Sequence, residues 1–98
     1  MEHNGKKVII RANRAGVFFG TLAEKAGDEV TIINCRRIWY WDGAASLSEL
    51  ALSGVTKPRE CKFSVTVPSM TVLGVIEIIP CSEQAAASIT EVKEWKMS

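Results

Sequence analysis

Residues 29–54 read EVTIINCRRIWYWDGAASLSELALSG, and the way this stretch divides decides the fold. Glu29–Trp41 is dense in β-branched and aromatic side chains, which suit a pleated strand. Alternation predicts Val30, Ile32, Asn34, Arg36, Ile38 and Tyr40 on one face and Thr31, Ile33, Cys35, Arg37, Trp39 and Trp41 on the other. A strand this long exceeds the common ~5–6 residues, so a bend or a change of role is expected near Arg36 and Arg37. Asp42-Gly43 breaks the strand. Ser46-Leu47-Ser48-Glu49 then matches a capping box, with Ser46 accepting from the Glu49 N–H. Leu47, Leu50 and Ala51 form a one-sided apolar stripe, and Gly54 stands where a C-terminal cap belongs. The spacing predicts a short helix over 47–53.

Working outward, residues 1–5 read as a loose start and Lys7–Asn13 as a strand. In it Val8, Ile10 and Ala12 share one face, and Lys7, Ile9, Arg11 and Asn13 the other. Gly16–Lys25 is a second strand, in which Gly20 signals a bulge or a close backbone approach. Ala26-Gly27-Asp28 is a tight turn, so the second and third strands form a hairpin. Phe18 and Phe19 point to opposite faces, and an outward Phe is expected to mark an oligomer interface. Downstream, Cys61–Val67 alternates as a strand that Pro68-Ser69 ends. Thr71–Ile79 reads as another, kinked at Gly74 and stopped by Pro80. Ser82–Ser88 reads as a second helix with a serine start. The order predicts an α+β fold: one domain over 1–98, a small curled, mostly antiparallel β-sheet with one or two short helices. A small barrel is the alternative closure.

The chain has 98 residues, 47% of them hydrophobic and 23% charged, with a net charge of +1. That balance is ordinary for a globular domain and argues against bulk nucleic-acid binding by phosphate neutralisation. A core this small makes a homo-oligomer an expected partner arrangement. Three cysteines without a CxxC pair give neither a disulfide framework nor a zinc pattern. Reduced thiols in a cytoplasm follow. The N-terminal MEHNGKK lacks an apolar segment for export, and no apolar run reaches the ~18 residues of a membrane span. No membrane association, cofactor or metal is expected.

Catalytic signals are weak. The single histidine, His3, lies in the loose start, the carboxylates are scattered, and no catalytic motif occurs. The chain reads as a protein that is not an enzyme. The chemistry concentrates at Arg36, Arg37, Trp39, Trp41, Ala45, Ser46 and Leu47. Guanidinium forks match phosphate and stack on bases, and indoles stack on purines. A helix N-terminus offers free N–H groups to an anion. Arg14 is a second candidate phosphate ligand. Together these residues suit a nucleotide-like anion. The same residues also read as packing: tryptophans closing a small core, arginines paired at the surface, and Ser46 as a cap alone. Between the two arginines, alternation selects Arg37 as the one facing with Trp39 and Trp41, unless a bulge intervenes.

The stretches RAGVFFG (14–20), RRIWYWDGAASLSELALSGV (36–55), CKFSVTVP (61–68) and IEIIPCSEQAAASI (76–89) together resemble a family of small tailed-bacteriophage proteins with a domain of unknown function. The resemblance implies a virus-encoded protein made in the cytoplasm of an infected bacterium. In size, α+β content and Arg/Trp-rich candidate site it is similar to phage anti-defence sponge proteins, which sequester cyclic oligonucleotide or cyclic ADP-ribose signals. The expectation is therefore a non-enzymatic binder of a nucleotide-derived immune signal. The alternatives are a protein-interaction module that inhibits a host defence enzyme through an exposed aromatic patch, and a minor phage structural or assembly protein.

Overall fold

β-Branched residues at Lys7–Ala12 make strand β1, and alternation divides it as expected: Val8, Ile10 and Ala12 enter one core and Ile9 the other. The computed structural model of the chain describes residues 4–41 and 46–95. Strands β2 (Gly16–Ala26) and β3 (Glu29–Tyr40) follow as antiparallel hairpins, with Ile10 opposite Phe18 and Phe18 opposite Arg37. Two strands share the far edge of β3. Strand β5 (Val67–Val72) pairs with its first half and β4 (Lys62–Phe63) with its second. Strand β6 (Val75–Pro80) pairs with β1 at the opposite edge. The result is a six-stranded antiparallel sheet ordered β4-β3-β2-β1-β6, with β5 on β3.

Helix α1 (Leu47–Ser53) has the predicted bounds, with Ser46 Oγ accepting from the Glu49 N–H at 3.2 Å and Gly54 donating to Leu50 O. Helix α2 (Glu83–Glu91) starts at Ser82, which accepts from Ala85 N–H. Both helices pack on one face of the sheet, where Leu50, Ala51 and Ile89 meet Ile9, Phe19, Ile38 and Phe63. The other face curls over Val8, Ile10, Phe18, Leu22, Val30, Ile32 and Val72. Phe18 and Phe19 are thus both buried, one in each core, and neither is left for an oligomer interface.

Three expectations need correction. The sheet does not close into a barrel: β5 and β6 leave the Leu73-Gly74 turn for opposite edges and do not pair with each other. Gly74, with φ of 71°, is a bend as expected, but it divides the predicted strand in two: the part before it pairs with β3 and the part after it with β1. The Cys61–Val67 strand is also cut short. Pairing stops at Phe63, and the next strand runs through Pro68, which is tolerated because, among the described residues, β5 pairs with β3 alone.

Strand β3 carries two bulges that alternation alone could not place. Between Phe19↔Arg36 and Thr21↔Ile33, β3 spends one residue more than β2. The extra residue falls at Asn34–Cys35, where Asn34 takes φ of 47°, a conformation asparagine tolerates better than most side chains. Gly20 sits opposite. A Cβ there would lie 2.6 Å from Cys35 Cβ and 3.1 Å from Cys35 Cα, so only glycine lets the bulged strand come this close. The second bulge is at Trp39, between Ile38↔Phe63 and Tyr40↔Lys62.

Candidate functional site

The first bulge decides which way each arginine points. Past Asn34 the face that held Val30 and Ile32 continues through Cys35, while Ile38 joins the helix-side core. Arg36, opposite Phe19, goes with Ile38 and is only 2% exposed. Its Nη1 donates to Val92 O at 2.8 Å, Ile89 O at 3.2 Å and Thr90 O at 3.4 Å, at the C-terminal end of α2. Its Nε donates to Ser64 O at 3.0 Å and its Nη2 to Phe63 O at 3.5 Å. A buried guanidinium is tolerable only when its donors are satisfied, and here the negative end of a helix satisfies them. Burial lowers the Arg36 pKa, and nearby Glu94 partly offsets this. Arg36 is thus occupied in tying α2 to β3 and β4, and is not available to a ligand.

Arg37 turns to the other face. Its guanidinium lies over the Phe18 ring, 4.6 Å from the centroid, and its Nη1 donates to Ala15 O at 2.6 Å. Its main-chain N–H donates to Ser64 Oγ at 2.7 Å. The side chain lines an open cleft of about 610 Å³ together with Arg14, the second predicted anion ligand. The turn between β1 and β2 supplies Asn13, Arg14 and Ala15 to one wall, and Met70–Gly74 of β5 and its turn form the other. That turn is anchored at both ends: Asn13 N–H donates to Gly74 O at 2.8 Å, and Val75 N–H to Asp28 O at 2.9 Å. Among the described residues neither Arg14 nor Arg37 is paired with a carboxylate; nearby, Arg11 pairs with Glu77 at 3.0 Å. The cleft therefore joins two positive charges, without a carboxylate partner among the described residues, to an apolar wall of Phe18, Met70, Val72 and Leu73.

The remaining predicted residues lie elsewhere. Because of the second bulge, Trp39 and Trp41 do not share a face. Trp41 packs against the helix-side core, as does Leu47. Trp39 is 53% exposed and meets Trp95 edge to face at 5.3 Å. Lys62 Nζ lies 5.3 Å over the Trp95 ring, and Tyr40 is exposed beside Lys62 in the β3–β4 register. Ser46 spends its hydroxyl oxygen on the Glu49 N–H. Ala45 and His3 lie outside the described residues.

The structure thus unites Arg14 and Arg37 and separates them from both indoles and from the start of α1. It adds Phe18, Ala15 and the Met70–Gly74 wall, which the sequence reading missed. One signal was available: a tight β2–β3 hairpin sets Phe18 near Arg37. The wall on β5 had no local signal, because it depends on which edge that strand joins. Among the described residues no helix is long and apolar enough to cross a membrane.

A family model described as a domain of unknown function (DUF6948) matches residues 5–89. No curated protein and no solved structure matches the chain.

Proposed function

The chain belongs to the DUF6948 family, a description that carries no activity, and from the cleft we propose a non-enzymatic protein that binds a small anionic ligand. One observation carries this reading: the Arg37 guanidinium is held on Phe18 and tied to Ala15 O, in the same cleft as Arg14, with no carboxylate partner among the described residues. A guanidinium fixed in this way loses little side-chain freedom when it binds an anion. The ligand is of nucleotide type. Phosphate would pair with Arg14 and a free edge of Arg37, and a base would stack on the Arg37 plane or lie against the Met70–Leu73 wall. In the cytoplasm of a phage-infected bacterium, the setting the sequence resemblance implies, such binding sequesters a nucleotide-derived immune signal of the cyclic oligonucleotide or cyclic ADP-ribose type. The predicted indole platform is not part of this site.

The test is depletion and recovery. The protein is mixed with a panel of cyclic di- and trinucleotides and cyclic ADP-ribose isomers, and the bound fraction is then released by heat. Recovery of one ligand intact supports sequestration. Recovery of an altered product points to an enzyme, and no depletion overturns the nucleotide reading. Arg37→Ala and Arg14→Ala should each weaken binding by about tenfold or more, the loss of a charge-assisted hydrogen bond worth ~1.5–3 kcal/mol. Isothermal titration checks it.

A second reading rests on a different observation, the half-exposed Trp39, Tyr40 and Trp95 beside β4. Aromatic anchors of this kind suit a protein-interaction module that inhibits a host defence enzyme. Under that reading Trp39→Ala abolishes partner capture while ligand binding at Arg37 is unchanged.

A further inference from the structure

Strand β3 changes partner along its outer edge, and the change leaves a gap. Strand β5 pairs with it as far as Cys35↔Val67, and β4 takes over at Ile38↔Phe63. Between them, among the described residues, Arg36 and Arg37 face no strand on that side, and the chain passes them as a linker over 64–66. A partly buried peptide without a ladder partner must find its hydrogen bonds elsewhere. Arg37 finds both at one residue. Its N–H donates to Ser64 Oγ at 2.7 Å, and its carbonyl accepts from the Ser64 N–H at 2.8 Å.

Every polar group of Ser64 is engaged. Its hydroxyl donates to Val65 O at 3.0 Å, which leaves the oxygen lone pairs to the Arg37 N–H. Its carbonyl accepts from Arg36 Nε at 3.0 Å, so the neighbouring buried cation holds it from the helix side. Two residues on, Thr66 N–H donates to Glu94 Oε2 at 3.1 Å and fixes the far end of the linker. Across β3, Phe18 stands opposite Arg37 in the β2 register. The Arg37 main chain is thus set between Phe18 and Ser64. From there its guanidinium reaches the Phe18 ring, 4.6 Å from the centroid, and Ala15 O at 2.6 Å. A binding group held this closely depends on the residues that fix its base.

We infer that Ser64, which does not line the cleft, is the positioning residue for Arg37: its hydroxyl replaces the missing ladder bond and sets the guanidinium over Phe18 in the pose that takes an anion. On the reading of the cleft as an anion site, on which this rests, Ser64 governs affinity without touching the ligand. Without the hydroxyl the Arg37 N–H loses its acceptor, and the Ser64 N–H alone holds the edge of β3 at this point. The side chain then leaves from a shifted base.

Two measurements test this, one of them without a ligand. In the free protein the Phe18 ring current should move the Arg37 Cδ–H and Nε–H resonances upfield, and the Arg37 amide should exchange slowly. Ser64→Ala should return those resonances towards the values of an unstructured arginine while the far-ultraviolet circular dichroism spectrum stays unchanged. Ser64→Thr keeps the hydroxyl and should keep the shifts. Binding is read by isothermal titration with each cyclic di- or trinucleotide or cyclic ADP-ribose isomer that the unmodified protein depletes. Ser64→Ala should weaken it about two- to tenfold, the range that one neutral hydrogen bond spans. In an Arg37→Ala background the same change should have no further effect, because Ser64 acts through Arg37. Additive losses overturn the inference, and so do Arg37 resonances that stay in place in Ser64→Ala. An Arg37 amide that exchanges in the unmodified protein as fast as an exposed one overturns it too, which decides the matter even where Ser64→Ala folds poorly. A panel of which no member binds overturns the nucleotide reading alone, and the spectra still decide what positions Arg37.

Discussion

Arg36 and Arg37 are adjacent and chemically identical, yet one is a structural cation and the other lines a cleft. The first holds carbonyl oxygens from five residues around the end of α2 and β4. Removing it leaves several buried acceptors unsatisfied, at ~1–3 kcal/mol for each that water cannot reach. Arg36→Leu should therefore cost about 3 kcal/mol or more, measured by urea unfolding. Arg36→Lys should recover little, because an ammonium cannot span carbonyls set around a planar fork. Cys81 gives a second prediction at this scale. Burial pushes its thiol up from 9.0 to about 11, and Lys7 only partly opposes this. At pH 8 its thiolate fraction in the folded protein falls roughly a hundredfold below that of an ordinary thiol, so alkylation by iodoacetamide is slow until the chain unfolds. The sign for stability follows. The fold favours the neutral thiol and the unfolded chain ionises first, so this contribution is complete below pH 9 and is lost as pH rises towards 11. Cys81→Ala should flatten that part of the stability profile.

Strand β3 shows how much an element can depend on its neighbour. Its limits, Glu29 and Tyr40, lie within one residue of those read from composition. Its faces do not follow, because the bulge at Asn34 exists only against Gly20 on β2. Gly20→Ala would force a Cβ into the backbone and Cβ of Cys35. The expected cost is ~1–3 kcal/mol, typical of overpacking in a closed site, and thermal unfolding would show it. A variant as stable as the parent would mean that the two strands can separate at the bulge without loss. The helices behave differently. Helix α1 was legible to its ends, since a serine cap, an apolar stripe and a terminal glycine are all local. Two hydroxyls of α2 and its cap work between elements: Ser88 Oγ accepts from Val55 N–H at 3.0 Å, and Ser82 Oγ donates to Leu52 O at 2.7 Å. Those contacts tie α1 to α2.

At the scale of the whole molecule, a curled sheet carries a core on each face, and Arg36 spans from β3 to the helix layer. Neither core is separable, because both are built on the same β1, β2 and β3. Unfolding should therefore be one cooperative transition, with far-ultraviolet circular dichroism and tryptophan fluorescence coinciding in denaturant. Two separated transitions would show the helix layer melting alone. The cleft belongs to this scale too. Its walls come from the β1–β2 turn and from β5, more than fifty residues apart in the chain. What the sequence determined by itself was local: the α+β class, the first three strands and the two helices in order, both serine caps, the glycine that ends α1, and the alternation of β1. Each is set by side chains within a few residues of one another. What only the tertiary structure decided was which face of β3 each residue takes, and so which arginine meets Arg14 and where the two indoles go. A bulge shifts side-chain parity by one, and its position depends on a glycine across the hairpin. No pattern within β3 alone could place it.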